Sequence, residues 1–159
     1  WAQTWKHRYD DAERSFDRAA ALAPELAEVF SYQGVHYIRA CDPERALQLT
    51  TKALRLDPFA PQVDYHMGME YLFLGRFEEA VTKLEIARER TPNQSGVRLH
   101  LACAYVEMGR LDDAAREIRE LSEFSPVYTV ALAGRTFPFR IDAVRERFVD
   151  NLRKAGLPE

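Results

Sequence analysis

A period of 34 residues constrains what this chain can fold into more than any other feature. Prolines fall at Pro24, Pro58, Pro92 and Pro126, each 34 residues after the last. Alanines keep the same step at Ala12, Ala46, Ala80 and Ala114. Seven residues further on they recur at Ala19, Ala53 and Ala87, and the fourth copy breaks the column with Leu121. Tyr37, Tyr71 and Tyr105 each stand three residues after a small residue, Gly34, Gly68 or Ala102. A fixed period of this length marks stacked supersecondary units, none of which can bury its apolar face alone. His66 to Pro92 is the most regular copy.

Each column has a physical reading. Two helices that approach within roughly 8–10 Å need small side chains where their backbones cross. Gly34, Gly68 and Ala102 supply these on a first helix, and the two alanine columns supply them on a second. The tyrosines, with the column Phe16, Thr50, Leu84 and Ile118, fill the space between neighbouring hairpins. Proline ends each second helix, because it lacks a donor and pushes the preceding residue away from the α region. Between the helices, Gly75-Arg76 and Gly109-Arg110 use glycine as a helix stop. At Cys41-Asp42-Pro43 a helix start stands instead, with Asp42 as N-cap and Pro43 in the first turn.

These columns resemble the tetratricopeptide repeat (TPR). The resemblance implies an all-α fold, an α-α superhelix of about 3.5 repeats closed by a C-terminal capping helix. The array is expected over residues 1–126, with repeats at about 1–24 (partial), 27–58, 61–92 and 95–126. Residues 127–159 are expected to hold a partial repeat and the cap. One departure is the column Phe30, Asp64, Arg98, where an aromatic is the rule, and looser packing is expected there. The register also implies that the first repeat retains only the end of its opening helix, Trp1 to His7, before a second helix from Asp10 to Leu22. That end is expected to fray or to pair with a neighbouring molecule. The chain starts at Trp1 without a methionine, and reads as a fragment of a longer polypeptide.

After Pro126 the pattern fades. Tyr128 to Arg135 reads as a short first helix, interrupted at Thr136-Phe137-Pro138. Asp142 is expected to cap a last helix with Val144, Phe148 and Leu152 on one face and Arg145, Glu146, Asp150 and Arg153 on the other. A solenoid needs such a terminal element with a polar outer face. The stretch from Phe137-Pro138-Phe139-Arg140 through Leu152-Arg153-Lys154-Ala155-Gly156-Leu157-Pro158-Glu159 resembles the close of TPR regions in bacterial class III adenylate cyclases and related signalling regulators. It departs from them at Ile141-Asp142-Ala143, where that family tends to show aspartate followed by proline. The resemblance implies a regulatory segment whose catalytic domain lies upstream and outside this chain, so no metal- or nucleotide-binding residue carries over.

Composition narrows the function. With 47% hydrophobic and 30% charged residues the chain is of a globular class, and its net charge of −3 argues against a nucleic-acid partner. No apolar run approaches the roughly 18–20 residues that cross a bilayer. Two distant cysteines, Cys41 and Cys103, form no disulfide framework and fit a reducing, cytoplasmic setting. None of the glycine-rich phosphate loops, nucleophile elbows or metal-binding His/Cys spacings is present. Glu78-Glu79 and Asp112-Asp113 sit in first turns, where they complement the helix dipole. The expectation is a non-catalytic module with no cofactor and no metal. It would hold a protein or peptide ligand, with self-association as an alternative.

A solenoid of this kind presents its first helices on the concave face. The register places Ser31, Val35 and Ile38 there, then Tyr65, Met69, Leu72 and Phe73, then Leu99, Cys103 and Val106. The expected binding groove is Tyr32, Val35, Tyr65, His66, Met69, Phe73, Leu99, His100 and Cys103. His66 and His100 are one period apart and Cys103 is one turn on; these are metal-ligand types, but a fourth ligand is missing and peptide contact is the preferred reading. Some TPR domains grip a carboxylate with a Lys/Asn/Arg clamp; Ser31, Val35 and His66 stand at the matching positions. An amphipathic helix or an apolar extended peptide is therefore expected over an acidic tail.

Overall fold

A computed structural model describes residues 2–60, 62–137 and 139–159, with side chains from residue 9 onward. Among the described residues there are nine helices and no strand: α1 (Ala2–Leu22), α2 (Ala27–Arg39), α3 (Pro43–Leu56), α4 (Val63–Phe73), α5 (Phe77–Arg90), α6 (Ser95–Glu107), α7 (Leu111–Phe124), α8 (Val130–Thr136) and α9 (Asp142–Lys154). The pairs α2–α3, α4–α5 and α6–α7 are helical hairpins, and successive hairpins stack through α3–α4 and α5–α6. The inner helices α2, α4 and α6 also touch in sequence. This is the expected all-α superhelix.

The periodic columns do the work assigned to them. α1, α3, α5 and α7 each end two residues before the proline of their copy. Ala46, Ala80 and Ala114 are completely enclosed, as are Ala53, Ala87 and Leu121 seven residues on. A methyl group added to Gly68 would stand 2.5 Å from Leu84 Cγ, so only glycine lets α4 and α5 come this close. The tyrosine column reaches back one hairpin: Tyr37 donates to Glu13 at 2.6 Å and Tyr105 to Glu85 at 2.7 Å. Arg45, Arg76 and Arg110 lie over the rings of Tyr37, Tyr71 and Tyr105.

Gly75 and Gly109 take the left-handed conformation at the hairpin turns, with φ of 74° and 73°. Cys41 occupies the same place with φ of 63°, an uncommon conformation for a side chain with a Cβ. Asp42 then caps α3 by accepting from Arg45 N, with Pro43 opening the helix.

The structure corrects four expectations. The first repeat has no break between Trp1–His7 and Asp10–Leu22, because α1 runs unbroken from Ala2 to Leu22. His7 and Arg8 stand two periods before Gly75-Arg76 and three before Gly109-Arg110, and with neither a glycine nor a following Asp-Pro helix start the helix runs on. Trp1 itself lies outside the described residues. Secondly, α9 is capped at Ile141, and Asp142 is its first residue, paired with Arg145 at 2.9 Å. Thirdly, the opening of α8 lies at Val130, where Thr129 accepts from Leu132 N.

The fourth correction concerns Phe30, Asp64 and Arg98, which are not loosely packed. All three are buried. Lys52 lies over the Phe30 ring. Asp64 binds Lys83 at 2.9 Å and Arg90 at 2.7 Å. Arg98 binds Glu117 at 2.7 Å and Glu120 at 2.6 Å, and Arg88 joins Glu117 from the other side. Arg98–Glu117 is thus the charge-reversed copy, one period on, of Asp64–Lys83. Ion pairs fill the column that an aromatic would fill.

The C-terminal part does more than cap the stack. α9 packs on α6 and α8, burying Phe148 and Leu152 and exposing Arg145, Glu146, Asp150 and Arg153. Gly156 stops it with φ of 92°, and Leu157 N closes back on Leu152 O at 3.0 Å. Val130 N donates to Pro158 O at 2.7 Å, which ties the end of the chain to the start of α8. Leu152, Ala155 and Leu157, which carry the resemblance to cyclase-associated regions, are all core residues here.

Candidate partner-binding groove

The inner helices face a cavity of about 690 Å³. Tyr32, Val35 and Ile38 of α2 line it, with Tyr65, His66 and Met69 of α4 and His100 of α6. Tyr9, Ala12 and Phe16 of α1 form its far wall, and Phe137 and Phe139 contribute from the segment between α8 and α9. Helical spacing explains the inner set, because steps of three and four residues keep Tyr32, Val35 and Arg39, or Tyr65, Met69 and Phe73, on one face.

Six of the nine expected groove residues therefore reach the cavity: Tyr32, Val35, Tyr65, His66, Met69 and His100. Phe73, Leu99 and Cys103 do not, because the chain's own C-terminal part covers that end of the face. Phe73 packs on the Phe139 ring at 4.9 Å. Cys103 is enclosed and points its thiol at the Phe148 carbonyl, 3.7 Å away. Leu99 is fully buried in the core that also holds Val130, Ala133 and Leu152. Among the six that remain, Tyr32 is half exposed, whereas Tyr65, His66, Met69 and His100 are buried.

The histidines are held neutral. Burial, with the nearby Arg39 charge adding to it, pushes the His66 imidazole down to about 4. Burial also pushes His100 down to about 4. Ser31 Oγ and His66 Nδ1 share a hydrogen bond of 2.6 Å, and the Tyr32 ring meets the imidazole edge-on at 5.5 Å. His100 Nδ1 lies 2.6 Å from the Gly96 carbonyl, which can only accept, so the proton sits on Nδ1. Its Nε2 is left as an acceptor without a partner, enclosed by the rings of Phe137, Phe148 and Tyr65. Arg39 is the one permanent cation of the lining, and no carboxylate lines it among the described residues.

Such a lining can receive apolar and aromatic groups and offer a few directed hydrogen bonds. Cys103 lies outside this lining, and burial pushes its thiol well up from the ordinary range, where it is a weak nucleophile. Among the described residues no group of three or more His, Cys, Asp or Glu side chains converges as a metal site. Nor is any described helix long and apolar enough to cross a membrane.

Sequence reasoning missed Tyr9, Phe16, Arg39, Phe137 and Phe139. Arg39 was within reach, because it stands one period before Phe73. Tyr9 and Phe16 face the cavity because the first copy has no hairpin partner among the described residues. Ala12, Phe16 and Ala19 are accordingly only half-buried, where their counterparts in later copies are sealed. Phe137 and Phe139 lie outside the period and carried no signal.

Comparison with known proteins agrees with this architecture. Tetratricopeptide repeat patterns match residues 6–61 and, in a second form, 71–129. The crystal structure of MamA superposes with a TM-score of 0.67 at 19% identity, covering 96% of this chain and 90% of that one. MamA AMB-1 gives 0.62 at 27% identity, covering 75% and 70%. YrrB, described as a TPR protein with an unusual peptide-binding site, gives 0.61 at 23% identity, covering 96% and 78%. No curated protein matches the chain. With the repeat patterns covering well over half of its length and the same superhelix in its structural neighbours, the chain belongs to the tetratricopeptide-repeat family.

Proposed function

We propose that this chain is a non-catalytic protein-interaction module that holds a peptide or a helix in its concave groove. The observation that carries this reading is the cavity of about 690 Å³ on the inner face, lined mainly by aromatic, aliphatic and neutral histidine side chains, with Arg39, Gln62 and Gln94. Tyr32 and Val35 form its accessible edge, and Tyr65, His66 and Met69 its buried wall. Met69 supplies an adaptable surface and the tyrosines supply rigid contact area with polar tips. The peptide-binding site of YrrB, a protein of the same fold, supports the reading by analogy. The thiols of Cys41 and Cys103 are free, in keeping with a reducing compartment.

Panning a displayed random-peptide library against the chain tests this. Selected peptides should lose at least about tenfold in affinity when Tyr32→Glu and Val35→Glu are introduced together, since charges would line a desolvated edge. Peptides that bind the double variant as well as the parent would overturn the groove.

Self-association is a second reading, favoured by the half-buried stripe Ala12, Phe16 and Ala19 on α1. Sedimentation equilibrium of the parent and of Ala12→Glu tests it: a dimer that the substitution dissolves is expected, and a monomer at all concentrations contradicts it. The regulatory role beside a nucleotide cyclase rests on the tail resemblance alone, and the sequence upstream of Trp1 tests it.

A further inference from the structure

Beyond α8 the chain leaves the repeat pattern and turns back onto the concave face. The Phe137 ring stands 4.9 Å from His100, and the Phe139 ring 4.9 Å from Phe73. Both rest on Phe148 of α9, at 5.4 and 5.8 Å. The N–H of Arg140 donates to the Arg39 carbonyl at 2.8 Å, at the C-terminal end of α2. Tyr9 donates to the same carbonyl at 3.2 Å. A carbonyl in the last turn of a helix has no partner within the helix, so it is a ready acceptor for passing backbone. One backbone hydrogen bond to a helix end, with two aromatic side chains two residues apart lodged on the inner helices, is a set of contacts that an incoming peptide can reproduce.

The open cavity begins where these two rings end, since both Phe137 and Phe139 line it. We propose that the concave face recognises a peptide with two aromatic side chains two residues apart, and that Phe137 and Phe139 hold that site in cis until such a peptide displaces them. The inference rests on the groove reading above and specifies what the groove takes. A short tether gives the resident rings an effective concentration in the millimolar range, so an incoming segment competes against it. Removing the resident rings should raise the affinity of a peptide added in trans.

The probe is a fluorescent peptide of the chain's own residues 134–142, GRTFPFRID, followed by anisotropy. With Phe137→Ser and Phe139→Ser together, the chain should bind it at least about tenfold more tightly than the parent does. The same peptide with serine in place of both phenylalanines should bind neither protein. Arg140→Pro, which keeps both rings and removes the N–H donated to Arg39, should give a smaller gain in the same direction. No gain in a double variant that keeps its helical circular dichroism would overturn the proposal, as would equal binding of the serine peptide. Should the double variant fail to fold, the absence of any gain in Arg140→Pro overturns it. Library peptides lost on Tyr32→Glu with Val35→Glu, but indifferent to the resident rings, would overturn this inference and leave the groove standing.

Discussion

Glu70 sits in an environment that opposes its ordinary charge. It is completely buried on α4, accepts from Thr50, and leaves its second carboxyl oxygen without a partner. Burial, partly offset by the Thr50 hydrogen bond, raises its pKa from 4.5 to about 8. A folded-state pKa above the unfolded value means the folded chain binds the proton more tightly. This group's contribution to stability is therefore complete below 4.5 and is lost as pH rises through about 8. His66 and His100 act in the opposite sense, since their pKa falls from 6.5 to about 4 and stability is lost as pH falls across that window. Glu70→Gln should melt higher than the parent by a margin that grows from about pH 5 to about pH 8, reaching a few kcal/mol. Parallel melting curves across that range would contradict the assignment. At Cys41, the left-handed backbone carries a second residue-scale prediction. Cys41→Gly should stabilise the chain by about 1 kcal/mol in urea denaturation, because glycine relieves the strained φ. A loss of stability would show that the thiol contributes more than the strain costs.

At the scale of the element, the hairpins are held by small-residue crossings and by ion pairs that replace an aromatic column. Glu117 is fully enclosed between Arg88 and Arg98. Removing it takes the buried partner from Arg88 and leaves Arg98 to Glu120 alone, so Glu117→Ala should cost about 3 kcal/mol, the lower end for breaking a buried pair. A cost below about 1 kcal/mol in denaturant would mean that solvent satisfies both arginines. These hairpins were legible in the sequence because backbone crossings accept little besides Gly and Ala, which makes Gly34, Gly68 and the alanine columns periodic. The ion pairs were not, since Asp64 and Arg98 look like lapses in an aromatic column until Lys83 and Glu117 are seen facing them. Unbroken α1 departs from the period for a related reason: the period predicts a turn at His7-Arg8, but that place has neither the glycine of the later turns nor the Asp42-Pro43 helix start that follows Cys41.

The whole molecule is a superhelix whose concave face is shared between an open cavity and the chain's own C-terminal part. Six of nine groove residues could be placed by register alone, because the period fixes which side of α2, α4 and α6 faces inward. Phe73, Leu99 and Cys103 could not, because no repeat announces that Phe137, Phe139 and Phe148 fold back over them. The inner face is thus divided unequally. Its α2–α4 half leaves Tyr32 and Val35 at the edge of the cavity, and its α6 half, His100 apart, is covered by α9. Site-specific photocrosslinking tests this division directly, with a benzophenone amino acid placed at Tyr32 on the inner face or at Phe59, which is 82% exposed in the turn after α3. Library-selected peptides should crosslink from position 32 and not from position 59; efficient capture from position 59 with none from position 32 would contradict the account.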